Sequence, residues 1–381
     1  MDFGLSEEQS MLQGLARRYT QEELLPLEKE YLRVDRLPDD VMMHLELKAR
    51  SLGLWALTTA REVGGAGVGQ IGSCLVREET ARAVLGAMQG DGIGGDPSPI
   101  LYSCTEAQKE RFFYPVIRGE KKAGFAQTEP NVGSDPATLE MRATRVGDTY
   151  VLDGVKTFIG GAGKEDFYTV LVRTNPANKG RGGVSCIVVE QGTPGFKVGR
   201  IIGMMAGEDP AELVFEDCIV PVENRIGEEG GGFILGQRFL GIGRLRFGPS
   251  CVGIAERALG MAVSYSKQRV TFGRPIADRQ AIQWMLADSA TEIHAARLMT
   301  YHAAAKADRG EDFRQEASIV KLFASEMVNR VVDRAVQVHG AVGLSKDLPL
   351  EKMYRQVRHK RIGEGTAEIQ HFIIARNVLR D

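Results

Sequence analysis

A chain of 381 residues has room for two or three domains at about 150 residues each and buries roughly three quarters of its unfolded surface, which excludes a small disulfide-stapled scaffold. Hydrophobic residues at 43% and charged residues at 26% exclude wholesale disorder and fibrous repeats. With 48 Lys and Arg against 50 Asp and Glu, the net charge of -2 supplies no general pull toward nucleic acid or anionic membrane.

The segment Met1–Ser10 carries Asp2, Glu7 and Glu8 and lacks a basic region followed by an apolar core, so it reads as folded protein and not as a leader peptide. The first 120 or so residues favour helix. Phe3, Leu5, Met11, Leu12 and Leu15 recur at helical spacing, and Ser6-Glu7-Glu8-Gln9 predicts an N-terminal capping box. The glycine-rich stretch Gly64–Gly69 reads as a plain loop, since no clear strand leads into it and no Lys-Ser/Thr follows, as a phosphate loop requires. Between Ala123 and Gly232 the texture turns to β-rich runs, Thr149–Leu152, Tyr168–Val172 and Ser185–Val189, separated by Gly and Pro turns. This predicts an antiparallel β-domain.

After Gly232 helical stripes return: Ile282, Met285, Leu286, Ile293 and Leu298, then Ile319, Phe323, Met327, Val331 and Val332. A turn around Gly310-Glu311-Asp312 links them as an antiparallel pair. Domains are therefore expected at 1–122, 123–232 and 233–381. The five cysteines (Cys74, Cys104, Cys186, Cys218, Cys251) are odd in number and widely spaced, which argues for a reducing, cytoplasmic setting and against a disulfide framework or metal cluster. No apolar run reaches the 18 or so residues of a membrane span.

Four segments could carry chemistry. Phe125–Asp135, with Gln127, Thr128, Gly133 and Ser134, is a turn able to expose consecutive N–H groups to a phosphate or a planar ligand edge; an ordinary loop entering the β-domain fits as well. Arg269–Pro275 followed by Gln280 gathers guanidinium, hydroxyl and amide groups suited to a pyrophosphate, or a basic helix terminus satisfying its own carbonyls. Gln337–Gly343 is a close-approach site or a glycine cap. In Arg361–Gln370 a carboxylate stands between two glycines, Gly363-Glu364-Gly365, ahead of a helix capped by Thr366; this leaves Glu364 unshielded, as a base reaching a carbon acid requires, although an exposed loop glutamate looks the same. The upstream run Arg355, Arg358, His359, Lys360 and Arg361 reads as a solvated face, and the histidines show no metal-ligand pattern.

Together and in this order, the Thr-Glu-Pro-x-x-Gly-Ser-Asp run from Thr128, Arg-x-Thr-Phe-Gly from Arg269, Gln-x-x-Gly from Gln337 and Glu-Gly-Thr from Glu364 resemble the acyl-CoA dehydrogenase flavoprotein family over essentially the whole chain. Details at Gly241–Arg244 and Leu344–Pro349 look closest to the branch of the vertebrate members numbered ten and eleven. The resemblance implies an α+β protein with an N-terminal α-helical domain, a middle antiparallel β-barrel-like domain and a C-terminal four-helix bundle, assembled as a homotetramer (a dimer of dimers) with one FAD per subunit. It implies that Phe125, Gln127, Thr128, Gly133, Ser134, Phe158 and Gly160 contact the cofactor. Arg269, Thr271, Phe272, Gln280, Gln337 and Gly340 would reach it from the dimer mate, and Thr366 and Glu368 would complete the site. Ser134, Arg244, Gly363 and Gly365 fall on the acyl-CoA side.

The implied reaction is α,β-dehydrogenation of an acyl-CoA to a trans-2-enoyl-CoA. Glu364 takes the α-proton, flavin N5 accepts the β-hydride, and electron-transfer flavoprotein receives the electrons. Burial should raise the pKa of Glu364 and make it a better base. The sequence departs from the family pattern in three places. Phe158 and Gly160 stand where Trp and Thr are common, Ala341 replaces a common glycine, and Gly363 replaces a bulky aromatic, which predicts a roomier acyl pocket. Some relatives place the base just before the bundle arginine, where this chain has Gly243. The rival readings are an oxidase of the same fold that uses oxygen, a nucleic-acid-associated flavoprotein of the alkylation-response type, disfavoured by the charge and by an end at Asp381, and a flavin-binding scaffold without turnover, which the retained Glu364 disfavours.

Overall fold

In a computed structural model of the protein the described residues are 4–34, 36–88, 91–161, 163–206 and 209–380. Of the positions used above, Met1, Asp2, Phe3 and Asp381 lie outside them. The helices in chain order are α1 (Glu7–Tyr19), α2 (Glu28–Val34), α3 (Asp39–Ser51), α4 (Gly69–Thr80), the short α5 (Glu106–Gln108) and α6 (Tyr114–Ile117), α7 (Gly232–Gln268), α8 (Gln280–Asp308), α9 (Arg314–His339), α10 (Pro349–Lys360) and α11 (Ala367–Val378). The strands are β1 (Ala123–Ala126), β2 (Arg142–Val146), β3 (Thr149–Ile159), β4 (Phe167–Arg173), β5 (Val184–Glu190), β6 (Phe196–Ile201), β7 (Ala211–Pro221), β8 (Arg225–Ile226), β9 (Val270–Thr271) and β10 (Arg274–Pro275). They form two compact units: Met1–Thr58, Ala66–Gly94 and Gly243–Asp381 in one, Thr59–Gly65 and Gly95–Ile242 in the other.

The first unit is helical. Ser6 and Gln9 make the predicted reciprocal capping box at α1. The glycine-rich stretch is a loop that leads into α4, whose first N–H groups, on Gln70 and Ile71, donate to the Asp308 carboxylate at 2.6 and 3.0 Å; those donors are satisfied within the protein. The α8 and α9 stripes pack as an antiparallel pair around the Gly310 turn, where φ is +71°. Their buried faces, with Ile293, Ala296, Met327 and Val331, join Leu45 of α3, Val76 of α4 and Ile254 of α7 in one apolar core. Two glycines let α7 approach its neighbours closely: an added Cβ at Gly248 would overlap Thr300 of α8, and one at Gly253 would overlap the Glu78 carbonyl of α4.

The second unit is built on an eight-stranded sheet ordered β6-β7-β3-β2-β4-β5-β8, with β1 beside β4. Every residue of β4 is buried, matching the unbroken run Phe167–Arg173, and Tyr150, Val170, Ile187 and Phe215 anchor the core. Most pairings are antiparallel as expected, but β1 runs parallel to β4, as does a single β2 pair. The β2–β3 hairpin lies in the connection from β1 to β4 and supplies the length a parallel crossover demands. The five cysteines are free and buried. Among the described residues no helix is long and apolar enough to cross a membrane, and no His, Cys, Asp and Glu cluster could hold a metal ion.

Candidate active site

The chain between α10 and α11 folds into a tight turn. The N–H groups of Ile362 and Gly363 return to the His359 carbonyl at 2.8 and 3.0 Å, and that of Ala367 to Arg361 at 3.0 Å, before the Thr366 side chain caps α11 by accepting from the Ile369 N–H. Glu364, at the apex, has φ +54°, a left-handed conformation that costs a residue with a Cβ on the order of 1–3 kcal/mol unless its surroundings impose it. Three helices impose it. Lys321 of α9 and Gln370 of α11 donate to the Gly365 carbonyl at 2.8 and 2.9 Å. Arg244 of α7 and, at greater length, Gln370 donate to the Glu364 carbonyl at 3.4 and 3.5 Å.

The Glu364 side chain lies against α7 at Gly243, where any added Cβ would overlap Oε2. The residue as a whole is half-buried, yet Oε2 is buried with no hydrogen-bond partner. Burial pushes the Glu364 pKa up to about 7, against the opposing charges of Arg246, Arg244, Lys360 and Lys321. The result is a carboxylate without a partner, unusually basic for its kind, on a turn that cannot relax without breaking hydrogen bonds to three helices.

The other sequence-predicted residues fall into groups. In the second unit, the Thr157 N–H donates to Thr128 O at 2.8 Å and Lys156 Nζ to Gln127 O at 3.0 Å, bringing Phe125, Gln127 and Thr128 beside Phe158 and Gly160. Phe158 is exposed with φ +56°, the Gln127 amide oxygen is buried and unpartnered, and Phe125 packs on Phe239 at 4.3 Å. Gly133 and Ser134 lie exposed in the following turn. In the first unit, stacking of Tyr265 on His339 at 4.4 Å places the C-terminal ends of α7 and α9 side by side, so the β9–β10 hairpin and Gln337-Gly340 share one end of the unit. Phe272 at the hairpin tip is almost fully exposed, Arg279 bonds Thr271 O at 2.7 Å, and Arg269, Gln280, Gln337 and Gly340 are exposed. Glu368 is exposed on α11, its carboxyl held below the usual range by its own N–H and the Thr366 hydroxyl.

One sequence reading changes. The basic run at the end of α10 is not one solvated face: Lys360 is buried and donates to Ala87 O and Ser250 Oγ, Arg361 pairs with Glu326 and Arg355 with Glu351, and His359 turns inward with a buried Nδ1. Helix periodicity set against the core, not local charge, decides each orientation. Sequence reasoning also missed Lys321, Gln370 and the Glu129–Lys156 pair. A lysine inside the buried stripe Ala317, Ser318, Val320, Ala324 of α9 was the signal available for Lys321.

Family models for acyl-CoA dehydrogenases match the chain three times: the N-terminal domain at 6–120, the middle domain at 124–218 and the C-terminal domain at 230–379. The chain belongs to the acyl-CoA dehydrogenase family. An acryloyl-CoA reductase (NADH) of Anaerotignum propionicum is 38% identical, the match covering 100% of this chain and 96% of the relative. The butyryl-CoA dehydrogenase structure from Megasphaera elsdenii is 35% identical with a TM-score of 0.91, covering 100% of both chains. A chain from a structure of the electron transferring flavoprotein of Acidaminococcus fermentans gives the same identity, coverage and TM-score. As a member of the acyl-CoA dehydrogenase family, the protein is an oxidoreductase.

Proposed function

We propose that the protein is an FAD-dependent acyl-CoA dehydrogenase that converts an acyl-CoA to its trans-2-enoyl-CoA, with Glu364 as the base. The observation that carries this reading is the buried, unpartnered Glu364 carboxylate, raised to about 7 and held in a left-handed turn. A C–H beside a thioester carbonyl is too weak an acid for an ordinary glutamate, so the developing enolate needs hydrogen bonds to its oxygen. The Glu364 main-chain N–H serves as one such donor, and the Lys321, Gln370 and Arg244 bonds to the neighbouring carbonyls fix its direction.

The residues fit a flavin. The orphaned Gln127 amide oxygen and the exposed Phe158 ring await a planar polar partner, with Phe125, Thr128, Gly133, Ser134 and Gly160 alongside. By the family resemblance, Thr366 and Glu368 of the helical unit are also assigned to the cofactor, and Arg269, Thr271, Phe272, Gln280, Gln337 and Gly340 to that of a neighbouring subunit in a homotetramer. A bound FAD supplies the acceptor for the β-hydrogen. With Gly160 lacking a hydroxyl, main chain or water would have to supply the hydrogen bond to the flavin edge. By the family resemblance, Ser134 in one unit and Arg244, Gly363 and Gly365 in the other are assigned to acyl-CoA. Electron-transfer flavoprotein is the acceptor, a reading supported by the similar chain from a structure of that protein. The working division is 1–122, 123–232 and 233–381, and five free thiols support a cytoplasmic setting.

Anaerobic titration of FAD-loaded protein with straight, branched and cyclic acyl-CoA esters tests the reading: at least one ester should bleach the flavin band, and the reduced protein should then reduce electron-transfer flavoprotein. No bleaching by any ester would overturn it. Because the base must be unprotonated, kcat/KM is expected to be flat above about pH 7 and to fall about tenfold per pH unit below it; an acid limb below pH 5 would contradict the buried carboxylate. Gly243→Ala, whose Cβ would displace the carboxylate, is expected to retain flavin while losing about 10²-fold in bleaching rate, the cost of roughly an ångström of misplacement.

A further inference from the structure

At the position where the family pattern leads to an aromatic side chain, Gly363 leaves a space that is not empty. The imidazole of His359, one turn earlier, lies over the Gly363 Cα, with Nε2 at 2.6 Å and Cε1 at 2.9 Å from the point a Cβ would occupy. Any side chain at 363 would have to expel this ring. Its Nδ1 is buried without a hydrogen-bond partner, and its ring neighbour is Phe247, at 6.3 Å between centroids, which gives packing and no polar anchor. Burial, helped by Lys360 and Lys321, pushes the His359 pKa down to about 4, so the ring is neutral and carries one donor and one acceptor nitrogen. No bond to the protein fixes which nitrogen holds the proton.

We infer that His359 is a specificity-determining residue that presents a neutral imidazole edge beside Gly363 and Glu364 to an acyl chain bearing a hydrogen-bonding oxygen, a hydroxyl or a carbonyl. This rests on the acyl-CoA dehydrogenase reading. A site holding an unpaired polar group favours the ligand that pairs with it and penalises the hydrocarbon analogue that leaves it bare. The imidazole also makes the surroundings of residue 363 polar, where the loss of an aromatic alone suggested only extra room.

The test uses FAD-loaded protein, anaerobic flavin bleaching, and hexanoyl-CoA against 5-hydroxyhexanoyl-, 6-hydroxyhexanoyl- and 5-oxohexanoyl-CoA. The best oxygenated ester should exceed hexanoyl-CoA in kcat/KM by at least ~10-fold. H359L should abolish that ratio, mostly through KM, and G363A should lower it by displacing the ring. A wild-type preference for hexanoyl-CoA, or an unchanged ratio in H359L, overturns the assignment. If H359L yields no flavin-loaded protein, the wild-type ratio and G363A decide. Bleaching by hexanoyl-CoA alone sinks the role of His359 and leaves the dehydrogenase reading standing, whereas bleaching by none of these or other acyl-CoA esters sinks both.

Discussion

Glu364→Gln is expected to leave the fold and yellow flavin binding intact and to slow substrate-dependent bleaching by at least ~10³-fold, a barrier increase of about 4 kcal/mol. The amide has the shape of the carboxylate but cannot accept the α-proton. The groups that hold the turn, Lys321, Gln370 and Arg244, bond to the carbonyls of residues 364 and 365 and not to the side chain, so the substitution removes the chemistry and spares the geometry. Stopped-flow mixing of the oxidised variant with a substrate that bleaches the parent protein makes the measurement; bleaching at the parental rate would show that another group takes the proton.

Glu129→Ala is expected to cost about 3–5 kcal/mol of stability, because it strands a charge in the interior. Lys156 is fully buried and its Nζ lies 2.7 Å from Glu129 Oε1. The same carboxylate accepts the main-chain N–H groups of Glu140 and Met141 at 2.6 and 3.1 Å. Three segments thus converge: the loop after β1, the entry to β2, and β3 through Lys156, whose Nζ also holds Gln127 O. Denaturant unfolding should show the loss, and weaker FAD retention should accompany it because Gln127 and Thr128 share the node. The double variant E129L/K156M should recover part of the stability by removing both charges. A loss under 1 kcal/mol for E129A would mean that water reaches the pair.

This pair also shows where sequence reading stopped. Glu129 sits in the Thr-Glu-Pro run that marked a ligand-seating turn, yet its carboxylate is spent on the fold. The signal that would have assigned it, Lys156 across a strand pairing, is non-local. Features written in local spacing were legible: the Ser6–Gln9 box, the β-rich runs that became β3, β4 and β5, the α8–α9 hairpin, and the two glycines that isolate Glu364. Features created by packing were not. Lys321 reaches the turn from 44 residues away, Gln370 reaches back to it only because its side chain is buried against it in the first turn of α11, and the inward turn of His359 and Lys360 within a basic run depends on which face α10 buries. The parallel placement of β1 beside β4 follows from a crossover that no strand periodicity announces.

The suspension of the Glu364 turn from α7, α9 and α11 has a consequence for heat and for grafting. If Glu364 is the base as proposed, its carboxylate is aimed by a tripod, so loosening any one leg blunts it before the fold melts; on warming FAD-loaded protein, turnover should decay ahead of cooperative unfolding and of flavin loss. For the same reason the short glycine-flanked peptide carries no competence of its own, and moving it into another helical scaffold without its three anchoring side chains would transfer the letters but not the aim.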